Sequence, residues 1–110
     1  MKELQETIEG IVEDDVLIER YALLEGEITG NVTTRQTARF EVSGRVDKDI
    51  TVGNGCIVQI YGTAGGNIYV EGGHLEVWGT VVGSIYRKAG EITIYGEATI
   101  KGTIAGSQQV

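Results

Sequence analysis

His74 is the only histidine in the chain and Cys56 the only cysteine. Acid–base, nucleophilic and metal chemistry each need a second group placed beside such a residue. His74 stands in EGGHLEV next to Leu75, in a register that points it outward, where a solvated histidine is the ordinary outcome. Cys56 follows Gly53, Asn54 and Gly55, a corner-like run, and reads as a small, partly buried hydrophobe. A reactive thiol would want a nearby cation or a helix start. Asp47 and Asp49 flank Lys48 as in an ordinary turn, and the pairs Gly65-Gly66 and Gly72-Gly73 lack the lysine and Ser/Thr of a phosphate loop. No spacing of His, Cys, Asp and Glu fits a metal set. The expectation is a non-enzyme, with no catalytic, cofactor-binding or metal residue and no cofactor.

Aromatic side chains offer a constellation of another kind. Tyr61, Trp78 and Tyr95 each precede a glycine, and Tyr69 and Tyr86 each lie seven residues after one. Equal positions in a repeating fold lie one above another, so these residues form stacked ladders. Such pairs stabilise a sheet by roughly 0.2–1 kcal/mol each. Exposed, they also offer a stripe that a sugar or a partner protein could use.

The element that positions them is a repeat. GTVVGSIYRKAGEITIYG runs from Gly79 to Gly96, with copies opening at Gly62, Gly44 and Gly26 and a looser one at Gly10. From Gly10 the successive intervals are 16, 18, 18, 17 and 17 residues. A fixed period of this kind identifies the supersecondary unit before any local propensity does. Two residues after each glycine comes a small or branched apolar side chain: Val12, Ile28, Val46, Ala64, Val81 and Ala98. Six after it comes Val16, Val32, Ile50, Ile68 or Ile85, with Ile18, Thr34, Val52 and Val70 two further on and Arg87 breaking that column. Before the next glycine stand the pairs Ala22/Leu24, Phe40/Val42, Val58/Ile60, Leu75/Val77 and Ile92/Ile94.

Each run alternates with polar residues, the period of a strand with one buried face. Three runs per repeat describe one coil of an all-β, single-stranded parallel β-helix (a solenoid) of about 17 residues per coil and five to six coils. Glycine suits the corners because it tolerates positive φ or close backbone approach. A second corner falls at Gly30, Gly66 and Gly83, with Lys48 in that place in the Gly44 copy. The last copy is stretched to GEATIKGTI, which predicts a two-residue bulge or a change of register.

The 110 residues make one domain: residues 1–9 as a short helical cap or a first strand, 10–106 as the solenoid, and 107–110 as a frayed tail. Seventeen glycines and no proline fit parallel ladders, in which proline would remove a hydrogen bond. A net charge of −7 argues against a nucleic-acid partner, which needs a basic footprint. Much of that charge lies in residues 1–27, where it keeps an edge-rich protein soluble or meets a basic partner. No apolar run reaches the roughly 20 residues of a transmembrane segment. The acidic start MKELQETIEGIVEDD lacks a signal peptide's basic and apolar regions, so the expected compartment is the cytoplasm.

The tandem motif GEITGNV, GTAGGNI, GTVVGSI and the trailing GEATIKGTI resembles the bactofilin family, polymer-forming cytoskeletal proteins of bacteria. The resemblance covers roughly residues 26–106. It implies a right-handed three-sided β-helix that joins end to end into filaments without nucleotide, with membrane or cell-wall-enzyme partners. The chain departs from the family in having no proline and no hydrophobic N-terminal peptide. The expected function is a structural scaffold that assembles with itself. One end would bury Ile100, Ile104 and Val110, and the other Leu4, Ile8, Ile11 and Val12. The alternative is an acidic immunity or antitoxin-type protein that neutralises a basic toxin, using the Tyr61, Trp78, Tyr95, Tyr69 and Tyr86 stripe.

Overall fold

The computed structural model describes residues 2–106, with side chains from residue 7 onward. Among the described residues there is no helix, and every strand pairing is parallel. The chain winds into a three-sided solenoid. Its first face stacks β5 (Val32–Thr34), β8 (Ile50–Val52), β11 (Ile68–Val70), β14 (Ile85–Arg87) and β17 (Ile104–Ala105). The second stacks β6 (Arg39–Val42), β9 (Ile57–Ile60), β12 (His74–Val77) and β15 (Glu91–Ile94). Two-residue strands make the third: β2 (Ile11–Val12), β4 (Glu27–Ile28), β7 (Arg45–Val46), β10 (Thr63–Ala64), β13 (Thr80–Val81) and β16 (Thr99–Ile100). Six stacked strands on that face mean about six laps.

On the first face Val16 pairs with Val32, Val32 with Ile50, Ile50 with Ile68, Ile68 with Ile85 and Ile85 with Ile104. Those steps are 16, 18, 18, 17 and 19 residues, so each lap spans roughly 18. The inward columns are the apolar columns of the repeat, and Val16, Val32, Ile50, Ile68 and Ile85 have no exposed surface. Burying each such side chain contributes about 1.5–3 kcal/mol. Thr34 sits in an otherwise aliphatic column and is fully satisfied: its hydroxyl donates to the Thr51 carbonyl at 3.0 Å and accepts from the Gly53 amide at 3.1 Å.

Three local features depart from a uniform repeat. Residues Lys2–Ile8 form β1, a strand on β3 (Val16–Leu24), with a register shift between Leu4 and Glu6. The helical alternative for this segment does not occur. β3 itself runs straight through the place where later laps turn, so it serves the first and second faces together and pairs with both β5 and β6. In the next lap that corner is made by Gln36 and Thr37, both at positive φ (59° and 58°).

The stretched final copy changes register as well. Val81 pairs with Ile100, not with Ala98, and Thr80 pairs with Thr99. The two extra residues form a turn in which the Ala98 amide donates to the Tyr95 carbonyl at 3.0 Å. Ala98 still packs against the core, but from outside the column.

Corner glycines are there for close approach. A Cβ on Gly26, Gly44, Gly62 or Gly79 would fall on the backbone oxygen of the glycine one lap below, and none of these four has positive φ. The second corner stacks likewise, Gly66 over Lys48 and Gly83 over Gly66.

Candidate functional site

Outward side chains repeat lap by lap, so any site on this fold is a column or an end. The column one residue past each second-face strand carries Tyr61, Trp78 and Tyr95. Their rings stack with centroids 4.6 and 4.2 Å apart and planes within 10° and 6°. Tyr69 and Tyr86 stack at 5.4 Å on the first face, where they are register partners. Face-to-face contact at this distance occupies both faces of the Trp78 ring and one face each of the four tyrosines. A sugar that needs a flat ring face cannot lie along Trp78, which Tyr61 and Tyr95 cover on both sides. Among the described residues no rung follows Tyr95, and the space beside Gly96 is open. The ladder presents an edge-on amphipathic stripe, with Tyr61 and Tyr95 45% and 38% exposed.

A polar network crosses the outer surface of the second face. The Arg39 guanidinium donates to the Gln59 amide oxygen (3.2–3.3 Å), and the Gln59 NH2 donates to Glu76 at 3.0 Å. His74 faces outward between two carboxylates, with Nε2 2.9 Å from Glu76 and Nδ1 3.1 Å from Glu91. This is a chain of cross-lap contacts tying four strands together. At its start, loss of hydration and then a hydrogen bond to Glu41 hold the Tyr21 phenol above its ordinary range. Cys56 lies at a corner and is buried. Among the described residues no three His, Cys, Asp or Glu side chains converge as a metal set would.

The corner before each first-face strand holds a second ladder. Asp15 accepts from the Asn31 amide at 2.8 Å, Asn31 from Asp49 at 3.0 Å, Asp49 from Asn67 at 2.8 Å, Asn67 from Ser84 at 2.8 Å, and the Ser84 hydroxyl from Thr103 at 3.0 Å. Each side chain satisfies a backbone N–H of the lap above, a donor that would otherwise be orphaned at the corner. Charged and neutral acceptors alternate in Asp15, Asn31, Asp49 and Asn67, so carboxylates never meet on adjacent laps. The signal was present in the sequence, five residues after each of Gly10, Gly26, Gly44, Gly62 and Gly79. It is a column of acceptors whose residue identity keeps changing, and residue identity alone conceals it.

Carboxylates do meet on the third face. The Glu27 carboxyl hydrogen-bonds to Asp47 one lap on, and this, with desolvation and repulsion from Asp47, holds Glu27 above the ordinary glutamate range. The same hydrogen bond, helped by Arg45 at 2.7 Å, holds Asp47 below its own. Because the folded-state value of Glu27 is raised, its contribution to stability is complete below about pH 4.3, the ordinary glutamate value, and is lost as pH rises through the folded value. Asp47 runs the other way and loses its contribution as pH falls through its lowered value. Glu27→Gln should therefore raise the melting temperature at pH 7 and leave it near the wild type at pH 4. Thermal melts followed by circular dichroism at both values check this, and an equal shift at the two would contradict it.

The two ends differ. At the start Ile8 is 7% exposed, Val12 half-buried and Ile11 64% exposed, while the Leu4 side chain lies outside the described residues. At the finish Ile92, Ala98, Ile100 and Ile104 are only partly covered although they pack against the core, and Ile94 is 37% exposed in a column whose earlier members are fully buried. Val110 lies outside the described residues. Arg87, in an inward column above Val70, turns to the chain end: Nε donates to the Gly90 carbonyl at 2.7 Å and Nη1 to that of Gly106 at 2.8 Å. Among the described residues no helix is long and apolar enough to cross a membrane. No protein-family model matches the chain, and neither a curated protein nor a solved structure matches it.

Proposed function

We propose that this chain is a non-catalytic structural protein, bactofilin-like in kind, whose rods join end to end. The observation that carries the proposal is the uncovered last lap. Ile92, Ile94, Ile100 and Ile104 continue the buried columns but have no lap above them among the described residues. β15, β16 and β17 likewise have one ladder edge each without a strand partner there. Free strand edges beside an apolar stub invite a further strand layer. A second copy supplies one of the same width and spacing, and a heterologous contact that does not close propagates into a filament. The reading places the protein in the cytoplasm, where the lone thiol of Cys56 stays reduced. Electron microscopy of purified protein tests it: rods with an axial repeat of one molecule are expected, and isolated single particles at every concentration and salt would overturn it.

The distribution of charge favours one other reading. Residues 1–27 hold nine acids and two bases, a net −7, whereas residues 28–110 hold seven of each. An acidic end of this kind also suits an immunity or antitoxin-type protein that neutralises a basic toxin. Recovery of a basic partner whose affinity falls steeply with salt would select that reading.

A further inference from the structure

We infer that the Asn54–Gly55 corner is a site of spontaneous covalent modification, where the chain's own backbone converts the asparagine amide to a carboxylate. The inference does not depend on how the rods join.

The reaction needs an electrophile and a nucleophile in adjacent residues, both free to move. The Gly55 amide nitrogen, once deprotonated, attacks Cγ of Asn54; a C–N bond forms, the C–NH2 bond breaks and ammonia leaves. Water then opens the resulting succinimide at either carbonyl, giving aspartate or isoaspartate at position 54. The chain holds three asparagines, and the fold treats them differently. At Asn31 both groups are tied: its side-chain oxygen accepts from the Asp49 amide at 3.0 Å, and the Val32 amide donates to the Asp49 carbonyl at 2.8 Å. Asn67 repeats this, its oxygen accepting from the Ser84 amide at 2.8 Å while the Ile68 amide donates to the Ser84 carbonyl at 2.9 Å. Val32 and Ile68 are also fully buried.

Asn54 has none of these restraints. It falls outside the acceptor column, in the turn between β8 and β9, and both Asn54 and Gly55 are exposed. Neither the Asn54 carboxamide nor the Gly55 amide has a hydrogen-bond partner among the described residues. The carboxamide oxygen rests against Gly72 one lap on, where a Cβ would stand on it. One backbone bond closes the turn, the Cys56 amide donating to the Gly53 carbonyl at 3.1 Å. Gly55 stands at positive φ (73°) and carries no side chain to shield its nitrogen.

Either product adds one negative charge, taking the net from −7 to −8. Isoaspartate also routes the backbone through the β-carbon, lengthening the lap by one atom. The flanks cannot absorb that atom, because Val52 is in register with Val70 and Ile57 with Arg39 and His74. It is taken up between Gly53 and Cys56, which loosens the cover of the buried Cys56 thiol.

Peptide mapping by mass spectrometry tests this on protein held at mildly alkaline pH, folded and in urea. The folded protein should convert at Asn54 at a rate within roughly tenfold of the unfolded chain, since a surface turn opens for little free energy. Asn31 and Asn67 should stay intact while the protein is folded. Asn54→Gln should abolish the more acidic form on isoelectric focusing, with circular dichroism unchanged. Aged wild type should react faster with a thiol reagent than fresh protein, whereas Asn54→Asp, which adds the charge without the extra backbone atom, should not. Protection of Asn54 in the folded protein while the unfolded chain converts would overturn the inference, and so would an acidic form that persists in Asn54→Gln. A thiol that reacts no faster after ageing would overturn the loosening at Cys56.

Discussion

Gly62→Ala should destabilise the protein by about 4 kcal/mol or more, a large fraction of a total stability of order 5–15 kcal/mol. The added methyl has no room, because it would stand on the carbonyl oxygen of Gly44, and the Ser43 carbonyl carbon is 2.7 Å away. Both contacts are backbone, and that backbone is held by the Thr63 amide donating to the Gly44 carbonyl at 3.0 Å. The neighbouring lap cannot yield without breaking its own ladder. Gly79→Ala meets the same obstacle one lap on. Gly96→Ala is the internal control. The register change in the last lap has moved Gly96 off this column, nothing lies within 4 Å of its added carbon, and its φ is not positive. That substitution should be neutral or stabilise by up to about 1 kcal/mol through the unfolded chain. Urea unfolding followed by circular dichroism separates the two, and equal losses at Gly62 and Gly96 would refute the close-approach account.

Phe40→Ala should cost about 3–5 kcal/mol. Phe40 is the only phenylalanine, has no exposed surface, and lies between Ala22 below and Val58 above in an inward column. The small Ala22 leaves the room that the ring fills, so truncation empties two adjacent levels at once. Phe40→Leu keeps more of the volume and should lose clearly less. The same denaturation measurement checks the pair. A loss below about 1 kcal/mol for the alanine variant would mean that the laps above and below collapse into the gap.

These residues also show how far the sequence reaches. The columns through Val46, Ala64 and Val81 and through Phe40, Val58, Leu75 and Ile92 superpose as the period required. They could be read because burial on one face forces alternation, and a parallel stack repeats it at a fixed interval. What escaped were places where two solutions share one pattern. KELQETI spaces Leu4 and Ile8 as a helix turn does, with Glu6 where strand alternation would want an apolar residue; only pairing with β3 on the next lap decides for β1. Ala98 and Ile100 both qualify for the last rung of the third face, and the larger side chain takes it once the turn at Gly96–Ala98 absorbs two residues. The aromatic stack was legible from spacing, whereas ring orientation was not. The rings lie face to face, which leaves Trp78 only its edge for any partner.

The central claim is that the last lap is a joint, and the molar mass of the wild-type protein in solution tests it most directly. Size-exclusion chromatography with light scattering, run from dilute to concentrated, should show mass rising in steps of one 11.8 kDa chain. Replacing Ile100 and Ile104 with lysine should hold it at a single step. A wild type that stays at 11.8 kDa at every concentration would contradict the claim.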